Sequence, residues 1–250
     1  VTAIIEIQDL CHFFTDGTCG LDHINLRIEQ GSFVVIGGCN GSGKTTLLRH
    51  FNGLLLPTSG QVIIDGIPVE RDLQAIRQKV GMVFQDSDNQ IVGETVHDDV
   101  AFGPENLGLE RQEIGRRVEE ALQIVSLSKQ RDLHPHLLSG GQKRRLTIAS
   151  VLAMQPQVLV FDEPFSNLDY PSTKQVLQHI VSLQDKGHTI VLTTHELEKV
   201  IAHCQRLIIM HQGRVARDAT PASLFNELEQ FGIREPCCSR HGIPQESWLS

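Results

Sequence analysis

Gly38-Cys39-Asn40-Gly41-Ser42-Gly43-Lys44-Thr45 is the stretch on which the reading of this chain turns. It fits Gly-x4-Gly-Lys-Thr, the pattern of a phosphate-binding loop. Its context is also the required one: the apolar run Ser32–Ile36 reads as a strand before it, and Thr45–Phe51 as a helix after it. The glycines permit a tight loop whose backbone N–H groups turn inward onto phosphate oxygens, and the helix N-terminus adds partial positive charge. Lys44 is then placed to reach the outer phosphates of a nucleoside triphosphate, with the Thr45 hydroxyl on Mg2+.

Such a loop needs a distant acid at the end of an apolar strand to hold the magnesium. Val158-Leu159-Val160-Phe161-Asp162-Glu163 supplies it. The carboxyl end of a parallel strand opens onto the ligand crevice. The two adjacent acids suit two jobs: Asp162 orders the metal shell and Glu163 polarises an attacking water.

Outward from these anchors the chain alternates. Ile4–Leu10 and Leu26–Ile36 read as strands, the second broken by a hairpin-like turn at Glu29-Gln30-Gly31. Gln61–Ile64, Val80–Phe84, Thr189–Thr193, Leu207–Met210 and Arg214–Ala219 are further strands. Ile114, Val118, Ala121, Leu122 and Val125 recur at helical spacing. A second helix starts near Ser139, a good N-cap residue. Ser172–Leu183, Glu196–Ala202 and Pro221–Leu228 read as helices. This order predicts a largely parallel α/β core with extra antiparallel strands near the start. From about Phe231 the pattern decays, and the stretch from Pro236 to Gly242 has no periodicity, which suggests a tail or small appendage.

Composition narrows the classes. The chain has 250 residues and a net charge of −8, from 22 basic and 30 acidic side chains. That balance opposes non-specific nucleic-acid binding, which needs a basic surface. No apolar run approaches the ~18 residues of a membrane span. The stretch Val1-Thr2-Ala3-Ile4-Ile5-Glu6 has no basic flank or apolar signal core, so export is not expected, and Cys11, Cys19, Cys39, Cys204, Cys237 and Cys238 show no Cys-x-x-Cys pair and no regular spacing. A reduced, cytoplasmic protein is expected.

Five motifs in order make the chain resemble the ATP-binding-cassette (ABC) ATPases over about residues 4–220. Beside the phosphate loop and its acids, Leu138-Ser139-Gly140-Gly141-Gln142 resembles the family's signature. Gln85 resembles the Q-loop glutamine, Ser166-Asn167-Leu168-Asp169 the D-loop, and His195 the switch histidine. Phe14 lies where the family places its adenine-stacking aromatic. The stretch Asp99–Leu109, with Gly140-Gly141-Gln142-Lys143-Arg144-Arg145, resembles energy-coupling-factor ATPases, which power uptake of vitamins or of cobalt and nickel ions.

The resemblance implies a P-loop NTPase fold of the ABC-ATPase type. Its parts are a RecA-like parallel core, an N-terminal antiparallel β subdomain and an α-helical signature subdomain at about 86–155. Residues 1–220 would be the ATPase domain and 221–250 a small extension. The cofactors would be ATP and Mg2+. Phe14, the loop residues Gly38, Cys39, Asn40, Gly41, Ser42, Gly43, Lys44, Thr45 and Thr46, and Gln85 would hold the nucleotide. Thr45, Gln85 and Asp162 would hold the metal; Lys44, Glu163 and His195 would act in hydrolysis. Ser139-Gly140-Gly141 offers a second anion site at a helix start, of little use to one nucleotide in one chain. The family's answer is a head-to-tail pair in which Ser139, Gly140, Gly141, Gln142 and Asp169 serve the partner's nucleotide. Phe14 stacks without a donor, so discrimination against GTP should be weak. The implied location is peripheral, on the cytoplasmic face of the membrane, beside a transmembrane energy-coupling subunit. A soluble ABC ATPase, such as one for iron–sulfur assembly, is the competing class.

Three features have two readings each. Cys39 stands where the family usually has proline; it is a tolerated small residue or a thiol activated by Lys44 and the helix N-terminus. Residues 86–105 carry Asp86, Asp88, Glu94, Asp98, Asp99 and Glu105 with no Lys or Arg. This is a solvated acidic surface or a docking face for a basic membrane partner, in which case charge reversal at Asp98 or Asp99 should uncouple transport. Leu224, Phe225 and Leu228 form an apolar face that packs on its own domain or on a second chain.

Overall fold

A computed structural model describes residues 2–237, 239 and 246–249. Cys238 and residues 240–245 of the expected tail lie outside the described residues.

Among the described residues, ten strands form two sheets. The first, in the order β2-β1-β4-β5, is antiparallel and contains β1 (Ala3–Phe13), β2 (Cys19–Glu29), β4 (Ser59–Ile64) and β5 (Ile67–Pro68). The second runs β10-β9-β3-β8-β7-β6. It contains β3 (Phe33–Gly37), β6 (Val80–Val83), β7 (Val158–Asp162), β8 (Thr189–Thr193), β9 (Arg206–His211) and β10 (Arg214–Ala219). All its pairings are parallel except that of the edge strand β10.

The turn at Glu29-Gln30-Gly31 is not a hairpin. It carries the chain from β2 in one sheet to β3 in the other, and the hairpin partner of β2 is β1. A turn signal marks reversal but does not say with which strand the next one pairs.

Strands buried on both faces read as unbroken apolar runs. In β7, Val158, Leu159, Val160 and Phe161 are all fully buried, each contributing about 1.5–3 kcal/mol over exposure. Because strand side chains alternate, Val158 and Val160 face one core with Ile5, Leu47 and Phe51. Leu159 and Phe161 face the other, with Leu146, Ile148 and Val176. The sheet thus holds the antiparallel layer on one side and helices on the other.

The helices are α1 (Lys44–Phe51), α2 (Leu73–Lys79), α3 (Val96–Asn106), α4 (Arg111–Ile124), α5 (Gly140–Leu152), α6 (Tyr170–Asp185) and α7 (Pro221–Leu224). α3 packs on α4 and α5. It was invisible to periodicity because it contains Gly103 and Pro104, which read as breakers. It is held instead by a capping box between Thr95 and Asp98. The helix expected over Glu196–Ala202 is two 3-10 turns, Leu197–Lys199 and Ile201–His203. That over Pro221–Leu228 is the short α7 followed by a 3-10 segment to Phe231. Leu224, Leu228 and Ile233 are buried in the helical-side core, so this face packs on its own fold.

Candidate active site

The carboxyl ends of β3, β6, β7 and β8 all point to one edge of the parallel sheet, the position where such sheets take ligands. β3 runs into the phosphate loop. α1 starts at Gly43, whose φ of +101° suits glycine, and a side chain there would meet the Gly20 carbonyl at 3.0 Å. Lys44 is 7% exposed. Its Nζ donates to the carbonyls of Gly38 at 2.8 Å and Cys39 at 3.1 Å, which folds it across the loop. Ser42 Oγ is buried with no hydrogen-bond partner among the described residues. A buried hydroxyl without a partner costs about 1–3 kcal/mol, so this one is poised for an incoming oxygen.

β7 ends at Asp162, 3% exposed, whose Oδ1 accepts from Thr193 Oγ1 at 2.7 Å. Glu163 follows with φ +48°, a left-handed conformation that costs a non-glycine residue about 1–3 kcal/mol. Two contacts fix it: its N–H donates to the Thr193 carbonyl at 3.2 Å and to Thr193 Oγ1 at 3.1 Å. Its Oε2 lies 3.1 Å from His195 Nδ1. Thr193 therefore organises both acids, a role that sequence reading did not assign. The available signal was its place as the last residue of β8, two before His195.

Glu163 and His195 border a cavity of about 370 Å3 that is also lined by residues 18–20 and 40–46, Phe14 and Gln85; Asp162 and Thr193 do not line it. Gly38 and Cys39 enter through the carbonyls that hold Lys44. Phe14 is half exposed and packs edge-on against His12, which packs edge-on against His50 of α1. Burial pushes the His50 imidazole down to about 4.

Ser139, Gly140, Gly141, Gln142 and Asp169 do not line this cavity. α5 begins at Ser139, as its N-cap chemistry predicts: Ser139 Oγ accepts from the Gln142 N–H at 3.3 Å, and Gln142 Oε1 accepts from the Ser139 N–H at 2.8 Å. Gly141 is required by close packing, since a side chain there would collide with Ser172 of α6. Asp169 caps α6, and the Ser172 N–H and hydroxyl hold its carboxyl below the usual range. Gly140 opens instead onto a separate cleft of about 330 Å3 shared with Gln85, Asp86, Lys143 and Ser166. Gln85 borders both spaces. Arg144, buried on α5, donates from its guanidinium to the carbonyls of Phe84 and Gln85 and so ties the signature helix to the Gln85 loop. Sequence reading missed this contact as well.

The acidic stretch is less free than its composition suggests. Asp99 is 3% exposed and accepts from the Val92 and Gly93 N–H groups and from Ser150 Oγ. Asp98 is committed to the Thr95 capping box, which holds its carboxyl low. Asp88 pairs with Lys143 at 2.6 Å. Charge reversal at Asp98 or Asp99 is therefore a structural lesion and no clean probe of docking.

The ABC transporter family model matches residues 21–166. The energy-coupling factor transporter ATP-binding protein EcfA of Methanocaldococcus jannaschii is 43% identical over 229 residues, covering 90% of this chain and 82% of that protein. Among solved structures, cbiO1 of Clostridium perfringens, described as part of the ABC transporter complex cbiONQ, superposes with a TM-score of 0.84 at 35% identity, over 97% of this chain and 99% of that one. A dimeric ATP-binding cassette in a post-hydrolysis state with ADP and Pi superposes with a TM-score of 0.78 at 30% identity, over 86% and 98%. On this fold, this site and these likenesses, the chain belongs to the ABC transporter family as an ATP-hydrolysing cassette of the energy-coupling-factor class.

Proposed function

We propose that this chain is the ATP-hydrolysing subunit of a membrane importer of the energy-coupling-factor type, carrying cobalt or nickel ions or a vitamin, and that ATP drives it by closing a head-to-tail dimer. The observation that carries the dimer is the split site. The phosphate loop, Phe14, Gln85, Glu163 and His195 share one cavity, while Ser139–Gln142 and Asp169 face elsewhere. A second chain supplies the missing half. ATP then acts by binding the closed state better than the open one.

In that state residues 38–46 cradle the phosphates and Lys44 leaves the Gly38 and Cys39 carbonyls for the outer phosphate. Phe14 stacks on the adenine. Glu163 accepts a proton from the water that attacks the γ-phosphorus, and His195, bonded to Glu163, fixes its direction. The bond to ADP breaks and inorganic phosphate leaves. Asp169 bridges to the partner's loop. The Thr45 hydroxyl, the Gln85 side-chain amide oxygen and the Asp162 carboxylate are hard oxygen donors of the kind Mg2+ prefers, and would hold it. When bound, that ion neutralises charge on the β- and γ-phosphates.

Residues 1–220 act as the ATPase domain, with its helical part at about 86–155, and 221–250 as an extension. The transmembrane partner docks near Gln85–Glu105. Beside that stretch is an apolar cleft of about 410 Å3 that includes Phe102, Val92 and Leu54, all exposed. Glu94 and Glu105 are exposed beside it and suit a basic partner. The chain then works at the cytoplasmic face of the membrane; no helix among the described residues is long and apolar enough to cross it.

The test is ATP-dependent dimerisation of Glu163→Gln, followed by light scattering. Expected is a monomer without ATP and a dimer with it, and loss of the dimer on adding Ser139→Arg while the monomer still binds ATP. A dimer indifferent to Ser139→Arg would overturn the head-to-tail arrangement. Co-purification with a membrane subunit tests the importer.

A further inference from the structure

On the β1–β2 hairpin, remote in role from the phosphate loop, Cys11 Sγ, an Asp22 carboxylate oxygen and a His23 ring nitrogen lie within 4.8 Å of one another. We propose that these three side chains form a binding site for a divalent cation of the Zn2+ type. Nothing in nucleotide chemistry calls for it, because a thiolate is a poor ligand for Mg2+.

Each ligand is held from behind. His23 Nδ1 is bonded to Asp9 Oδ1 at 2.6 Å, which leaves Nε2, 3.7 Å from Asp22 Oδ1, for the cation. A carboxylate on the far nitrogen is the usual way a zinc-ligating histidine is oriented. Asp9 is itself anchored by its N–H to Asn25 Oδ1 at 3.0 Å. Asp22 keeps Oδ2 on Arg214, at 2.5 Å, and its Oδ1, 3.7 Å from His23 Nε2, accepts no hydrogen bond from the described residues. Cys11 Sγ, on a residue 5% exposed, accepts the His23 N–H at 3.3 Å, which fixes the direction of its remaining lone pairs.

The backbone brings them together. Asp9 and His23 both take left-handed conformations, with φ of +51° and +52°, at register shifts in the β1–β2 pairing. These bulges bring together side chains that a regular ladder would separate. His23 is largely exposed and gives the ion a way in. The carboxylates of Asp9 and Asp22 stand against the Arg214 guanidinium, and a thiol gives up its proton to the ion that it binds. Three protein ligands of sulfur, nitrogen and oxygen type, plus a water, make the four-coordinate set that Zn2+ accepts.

The experiment uses the full chain, reduced, stripped with chelator and free of nucleotide. Zn2+ is titrated against a chromophoric chelator, and Co2+ is added separately as a spectroscopic probe. Expected are roughly one equivalent of Zn2+ per chain, a thiolate-to-cobalt charge-transfer band, and no competition from millimolar Mg2+. Cys11→Ala and His23→Ala should each weaken binding at least ~100-fold, and Asp9→Asn about 10–100-fold. His23→Ala lies on the exposed side and carries the test should Cys11→Ala fail to fold; ATP binding reports that each variant is intact. Absence of the charge-transfer band, or Zn2+ affinity unchanged in His23→Ala, would overturn the site.

Discussion

The rim of the phosphate loop and the tip of the signature helix are both helix N-termini built on glycine, yet the fold treats them oppositely. At the loop, Lys44, Ser42 and Glu163 are buried and converge with His195 on one cavity. At the tip, Ser139 and Gly140 are exposed and their polar groups are spent on an internal capping box. The loop holds unsatisfied and strained groups; the tip is self-satisfied and faces outward. A site whose polar groups are left wanting is prepared for a ligand within its own chain, whereas a satisfied, exposed tip is prepared for a surface that arrives. Arg144 joins the two regions by bonding the Phe84 and Gln85 carbonyls from the signature helix.

The contrast can be broken most directly at Lys44. Lys44→Ala should lower ATP hydrolysis by about 10²–10³-fold, as loss of a preorganised charge partner does, measured as phosphate release. A change under tenfold would mean the loop is not the working half.

Acid probes the packing behind the loop. His50 is held neutral down to about pH 4, while in the unfolded chain it takes a proton near its ordinary 6.5. The unfolded state therefore binds more protons between those values, and stability falls as pH drops through the window, by up to about 3 kcal/mol. His50→Gln should flatten that part of the pH–stability curve in denaturant melts.

Asp99 sharpens the comparison from the helical side. Asp99→Ala strands the Val92 and Gly93 N–H groups and should cost about 2 kcal/mol of stability, read by urea unfolding. Glu94→Ala, on the exposed part of the same stretch, should leave stability within about 0.5 kcal/mol. At the tip the expected loss is smaller than at Asp99. Ser139→Ala removes a cap worth about 1 kcal/mol and should leave ATP binding by the isolated monomer unchanged in calorimetry.

Much of this was legible in order along the chain. Unbroken apolar runs marked β3, β7 and β8 because parallel strands are buried on both faces. The phosphate loop, Asp162, Glu163 and His195 were legible because their chemistry demands those residue types directly after such strands. α3 was not, since a capping box and Pro104 replace periodicity there. Nor were Thr193 and Arg144, whose partners lie about 30 and 60 residues away.

The sequence by itself determined the order of the parallel strands, the phosphate chemistry and the net acidity of residues 86–105. Local pattern and residue type suffice for those. Only the tertiary structure decided that β2 and β3 enter different sheets, that Asp99 is an internal acceptor, that the C-terminal apolar face folds back on its own core, and that Cys11, Asp22 and His23 meet. Each of these depends on which distant segments come into contact, and that is set by packing across the whole fold.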